Sequence, residues 1–95
     1  MSEIPQYDRD EARRQLAGCR SNRRSLTTEK AAALCVALGY TIEKKRGKGS
    51  HIAAVRPGAP TITIPKVFGL RIATGILTTL EEVFDRDGSD EVRNA

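Results

Sequence analysis

No stretch of this 95-residue chain is continuously apolar for more than a few residues, which excludes a membrane span. Met1 to Asp10 lack a charged start followed by an apolar block, so no secretion signal is expected there. Cysteine is scarce. Cys19 and Cys35 are too few for a disulfide framework, and their separation fits no zinc pattern. A cytoplasmic protein with free thiols and no metal or cofactor is the expectation. No glycine-flanked serine follows a strand into a helix, so a Ser-His-Asp hydrolase fits poorly. Gly47-x-Gly49 is too short a glycine pattern for a nucleotide-binding loop. At this length the chain is one domain at most, with a modest core.

Acids are nearly missing from the middle of the chain. Residues 12–80 carry thirteen Lys/Arg and only two acids, Glu29 and Glu43, a balance of +11. Residues 1–11 carry −3 and residues 81–95 carry −4, so the net charge of +4 hides a basic body between acidic ends. Such a body suits a polyanion, most often nucleic acid. Two carboxylates are too few for a metal-dependent nuclease, which wants several converging on its ions. Aromatics are limited to Tyr7, Tyr40, Phe68 and Phe84. Stacking of bases on an aromatic sheet is therefore not the expected mode of contact.

What remains is patterned. Ala12, Leu16 and Cys19 predict a short helix over residues 8–18, with acids at its start and Gly18 as its stop. A basic linker, Arg20 to Ser25, follows. Ala31, Leu34, Cys35 and Leu38 share one face of a helix over residues 28–38, capped by Thr27 or Thr28 and ended by Gly39. Cys35 reads as a small buried hydrophobe. Three strands are expected at Tyr40 to Lys45, His51 to Arg56 and Thr61 to Ile64, joined by short turns into an antiparallel meander. Alternation places Ile52 and Ala54 inward, and His51, Ala53 and Val55 outward. Lys66 to Ala73 reads as a connection. A final helix is predicted from Thr74 to about Asp85, on the stripe Ile76, Leu77, Leu80, Val83 and Phe84. The domain plan is an extension with a short helix (1–24), a core domain (25–85) and an acidic, disordered tail (86–95). The fold class is α+β, a two-layer sandwich with one open sheet face.

The single histidine stands inside Arg46-Gly47-Lys48-Gly49-Ser50-His51-Ile52-Ala53-Ala54-Val55-Arg56. Two glycines within three residues make a turn. His51 is thus expected where a basic turn becomes a strand, beside several cations.

In this order, with these neighbours, the chain resembles the HicA family, small RNA-cleaving toxins of bacterial toxin–antitoxin modules. The resemblance runs from about Leu26 to Val83. It rests on Ala37-Leu38-Gly39-Tyr40, Lys48-Gly49-Ser50-His51, Ile62-Thr63-Ile64-Pro65 and Thr74-Gly75-Ile76-Leu77. It implies a double-stranded-RNA-binding-domain-like fold (α-β-β-β-α), here with an extra N-terminal helix. It also implies that a histidine matching His51 is needed for cleaving mRNA, and that an antitoxin of the HicB type covers it. Family strands often carry another histidine or an aromatic after that position. Ile52-Ala53-Ala54 stand there in this chain.

Cutting RNA without a metal asks for little. The ribose 2′-hydroxyl attacks the adjacent phosphorus and the P–O5′ bond breaks, leaving a cyclic phosphate and a 5′-hydroxyl. A base takes the 2′ proton, an acid protonates the leaving oxygen, and positive charge offsets the phosphorane. An unperturbed imidazole titrates near ~6.5 and serves either role. With His51 alone, the other transfer falls to water, substrate or another side chain. Lys48 is the candidate for transition-state charge, with Lys44, Lys45, Arg46 and Arg56 near in sequence. Backbone N–H groups around Gly47 and Gly49 offer an anion nest. Ser50 either bonds a phosphate oxygen or caps the turn. Two other functions are compatible with the same residues: a non-catalytic RNA-binding module, and an interaction protein using its open sheet face or its N-terminus.

Overall fold

A computed structural model describes residues 5–44 and 52–94. It is an α+β structure of three helices and a three-stranded antiparallel sheet. The elements run α1 (Arg9–Ser21), a 3-10 turn (Arg23–Ser25), α2 (Thr28–Ala37), β1 (Thr41–Lys44), β2 (Ile52–Val55), β3 (Ile62–Ile64) and α3 (Leu70–Asn94).

Helix α1 starts where its acids lie. The Asp8 side chain accepts the Glu11 N–H at 3.1 Å, an N-cap, with Asp10 and Glu11 in the first turn. Gly18 does not stop it. The helix runs through this exposed glycine to Ser21, because one glycine costs only about 1 kcal/mol and the buried Ala12 and Leu16 anchor the preceding turns. The expected linker therefore begins as helix, with Arg20 in its last turn.

Helix α2 matches its pattern. Thr27 Oγ1 accepts the Lys30 N–H at 3.2 Å, and Ala31, Leu34 and Cys35 are fully buried. It ends in a Schellman motif. The Tyr40 N–H reaches the Cys35 carbonyl and the Gly39 N–H reaches the Val36 carbonyl, each at 3.0 Å. Gly39 sits at φ +87°, and a Cβ there would lie 2.6 Å from Pro5 Cβ. Glycine is required twice over at this position, by its backbone angle and by the strand of chain pressed on it.

The sheet order is β1-β2-β3, with Thr41 opposite Val55, Lys44 opposite Ile52, and Ile52 opposite Ile64. Tyr40, Ile42, Ile52, Ala54, Ile62 and Ile64 pack with the helices in one core, while Thr41, Glu43 and Thr63 are exposed. The inward parity of Ile52 and Ala54 is as expected. Ala53 lies between Glu43 and Thr63 in register and is only 6% exposed. A methyl group is small enough to be covered by these flanking side chains. Pro57 and Gly58 (φ +80°) form a turn closed by the Ala59 N–H on the Arg56 carbonyl at 3.1 Å, the type II pattern of proline then glycine.

Helix α3 is longer than its apolar stripe at both ends. It begins at Leu70 instead of Thr74, the Ala73 N–H taking the Gly69 carbonyl at 3.1 Å. It also continues through residues 86–94, where a disordered tail was expected. The reason is Asp87. It follows Leu80 and Phe84 on the same face and is 3% exposed, because it meets a cation from the sheet.

Candidate functional site: a basic end and a closed end

The register fixes two ends of the molecule. At one end lie the N-termini of α2 and α3, the 3-10 turn, the end of β1, the start of β2 and the segment after β3. Thr28 Oγ1 donates to the carbonyls of Pro65 and Lys66, 2.7 and 2.8 Å away, and Arg23 Nη1 reaches Thr74 Oγ1 at 3.3 Å. These contacts place at this end the segments that carry Arg23, Arg24, Lys30, Lys66 and Arg71. None of the five forms an ion pair among the described residues. Val67, Leu70 and Ile72 are exposed there as well, Val67 to 84%.

The other end is closed. Arg56 leaves β2 and points into the protein, its side chain 4% exposed. Its two terminal nitrogens donate to the two oxygens of Asp87 at 2.9 and 2.7 Å, and Nη1 also reaches the Leu38 carbonyl at 3.2 Å. Burial opposes the Arg56 charge. The hydrogen bonds and attraction of Asp87 outweigh it, so the guanidinium is held above its ordinary pKa. The Tyr7 hydroxyl donates to Asp87 Oδ2. Burial first, and that bond second, push the Tyr7 pKa up. Arg9 lies 3.8 Å from the Phe84 ring centroid and donates to the Phe84 carbonyl at 3.0 Å. Burial also raises the Cys35 thiol to about 12, so it packs as an inert hydrophobe.

The acidic ends of the chain thus act as internal counter-charges. Arg13–Asp10, Arg14–Glu11, Arg20–Glu81 and Arg56–Asp87 each join a body arginine to an acid from residues 1–11 or 81–95. Among the described residues four body cations are neutralised in this way, Arg56 at the closed end and Arg20 one turn of α3 away from the Arg23–Thr74 contact.

Residues 45–51 connect the paired ends Lys44 and Ile52. The predicted site residues His51, Lys48, Ser50, Gly49, Lys45 and Arg46 all fall among them and lie outside the described residues. Lys44 is placed only by its backbone, at the end of β1. Arg56 is a correction. It lies four residues past Ile52, roughly 13 Å along the strand at about 3.3 Å per residue, and its charge is spent on Asp87. It does not belong with the cations offered to a transition state.

Sequence reasoning missed a groove at the basic end, lined by Thr27, Thr28, Glu29, Ala32, Ile42, Ile52 and Lys66, with a volume of about 800 Å³. Three elements meet imperfectly there. Ala32 on α2 is too small to cover Ile42 and Ile52, both of which stay half-exposed. Among the described residues no group of three or more His, Cys, Asp or Glu is placed to hold a metal ion, and no helix is long and apolar enough to cross a membrane.

Compared with known protein families, with curated proteins and with solved structures, the chain matches none.

Proposed function

We propose that this protein is a metal-independent endoribonuclease of the HicA type, a toxin that cleaves mRNA and is neutralised by a HicB-like antitoxin. The observation that carries the reading is the gathering of cations that form no ion pair among the described residues at the end of the sheet where β2 begins, one peptide bond after His51. A phosphate backbone is drawn to that end and away from the closed one. The order α2, β1, β2, β3, α3 suits the double-stranded-RNA-binding-domain-like fold that the family resemblance implies, with α1 as the extra helix.

In this reading His51 moves the proton, as base toward the 2′-hydroxyl or as acid toward the 5′ oxygen. Lys48, Lys45 and Arg46 offset charge on the phosphorane. Ser50 and the Gly49 backbone bind a phosphate oxygen. Purified protein should cut mRNA in EDTA without ribosomes. His51→Ala should lose about 10²–10⁴-fold while the fold persists. Induced wild type should arrest growth and the variant should not. RNA binding that weakens steeply with salt, without cleavage at any pH, would instead identify a non-catalytic RNA-binding module. Cleavage unchanged in His51→Ala removes the histidine from the chemistry.

A further inference from the structure

We propose that the groove between α2 and the start of β2 receives one unstacked base of the RNA, and that Glu29 selects a base bearing an exocyclic amine. This rests on the ribonuclease reading for its substrate class, and deepens it by naming a specificity site.

The shape comes first. Ile42, Ile52 and Ala32 form an apolar floor contributed by β1, β2 and α2. A base has two flat apolar faces and a polar edge, so it suits a floor of this kind with polar groups at the rim. A volume of about 800 Å³ leaves room for the base and its ribose. The floor residue Ile52 is bonded to His51, so a nucleotide held here lies beside the strand that carries the proposed proton carrier.

The rim supplies the selection. Thr28 Oγ1 is committed to the carbonyls of Pro65 and Lys66, and Thr27 Oγ1 to the Lys30 N–H. Glu29 and Lys66 are exposed and make no ion pair among the described residues. Lys66 suits a phosphate. Glu29 does not. It is one of two acids in residues 12–80, and it stands in a surface otherwise set to attract anions. A carboxylate at that point repels the backbone, and an N–H donor from the nucleic acid offsets the repulsion. Cytosine N4, adenine N6 and guanine N2 provide one. Uracil presents carbonyl oxygens at both exocyclic positions, and its ring N3–H reaches a carboxylate only between those two repelling oxygens. The expected preference for amino-bearing bases over uracil is roughly ten- to hundredfold.

Two measurements on the full chain test this. The first maps cuts in a mixed-sequence RNA by wild type and Glu29→Gln. Wild type should favour an amino-bearing base at one fixed position near the cut. The variant should lose that preference, because its amide both accepts and donates. The second follows the Ile42 and Ile52 methyl resonances of wild type on adding CMP or UMP. CMP should shift both methyls at lower concentration than UMP. Cleavage with the same site preference in both proteins, or methyls untouched by CMP, overturns the groove proposal and leaves the ribonuclease standing. CMP-selective shifts without any cleavage support the groove and remove the ribonuclease. Neither cleavage nor shifts removes both.

Discussion

Arg56 follows β2 and Lys66 follows β3, so the two stand at opposite ends of the antiparallel sheet and meet opposite fates. Arg56 is desolvated, held by two hydrogen bonds to Asp87 and a third to the Leu38 carbonyl. Lys66 is exposed beside a groove. The difference lies in the helices that reach each end. α3 brings Asp87 to one end, and the N-terminal segment brings Tyr7. The other end receives two helix N-termini, with Glu29 on α2 and Glu43 near the end of β1 as its acids among the described residues. A charge that is matched inside the protein serves the fold. A charge left unmatched on the surface is available to a partner.

That contrast can be broken from the closed end first. Asp87→Ala leaves Arg56 buried without a counter-ion and should cost about 3–5 kcal/mol, seen as a large fall in the urea midpoint. Arg56→Met combined with Asp87→Leu should recover most of the loss, since hydrophobic replacements of similar size often match a buried pair. A fall below about 1 kcal/mol for Asp87→Ala would mean that water already reaches the pair. Gly39→Ala comes next. It combines a left-handed backbone with a clash against Pro5 and should cost about 1–3 kcal/mol, and the Tyr7 phenol, released from burial and from Asp87, should titrate at lower pH.

Alkali gives a third handle. Burial holds the Cys35 pKa in the folded state at about 12, against 9.0 for a free thiol. The stabilisation is therefore complete below pH ~9 and fades as the unfolded thiol ionises between pH ~9 and ~12, by up to about 1.4 kcal/mol per pH unit. Cys35→Ala should make this limb shallower and leave the slope near neutrality alone, the remainder belonging to Cys19, Tyr40 and Tyr7, whose pKa values burial also raises. The smallest effects on stability belong to the basic end. Arg24→Ala, Lys66→Ala and Arg71→Ala should each change it by less than about 0.5 kcal/mol, yet each should lower the salt slope of RNA binding by roughly one. Unchanged slopes in all three would detach RNA from this end.

The helices and strands that bury apolar stripes were legible because period and burial are one signal. Leu34, Leu38, Leu77 and Leu80 are fully buried as their spacing requires. Gly39 announced its turn. Legibility failed where a polar residue occupied a core position. Asp87 extends the stripe of Leu80 and Phe84, but an aspartate reads as surface until its cation is known. Arg56, directly after an apolar strand, was that cation. Their partnership spans 31 positions, and no local pattern reports a match at that separation. Gly18 misled in the opposite sense, since a helix held by Leu16 and Cys19 against the core tolerates one flexible position. The groove was invisible because it is a gap left by Ala32, and gaps depend on what three elements fail to fill. His51 and its neighbours remain a reading of sequence, placed by their chemistry and by the strand they precede.

The Arg56–Asp87 pair has a consequence for how the protein is made. Arg56 emerges from the ribosome well before Asp87. Until the last turns of α3 follow it, closing the sheet against α2 would entomb a charge with nothing to answer it. The nascent chain therefore has reason to stay open, and to complete its core only after Asp87 has followed.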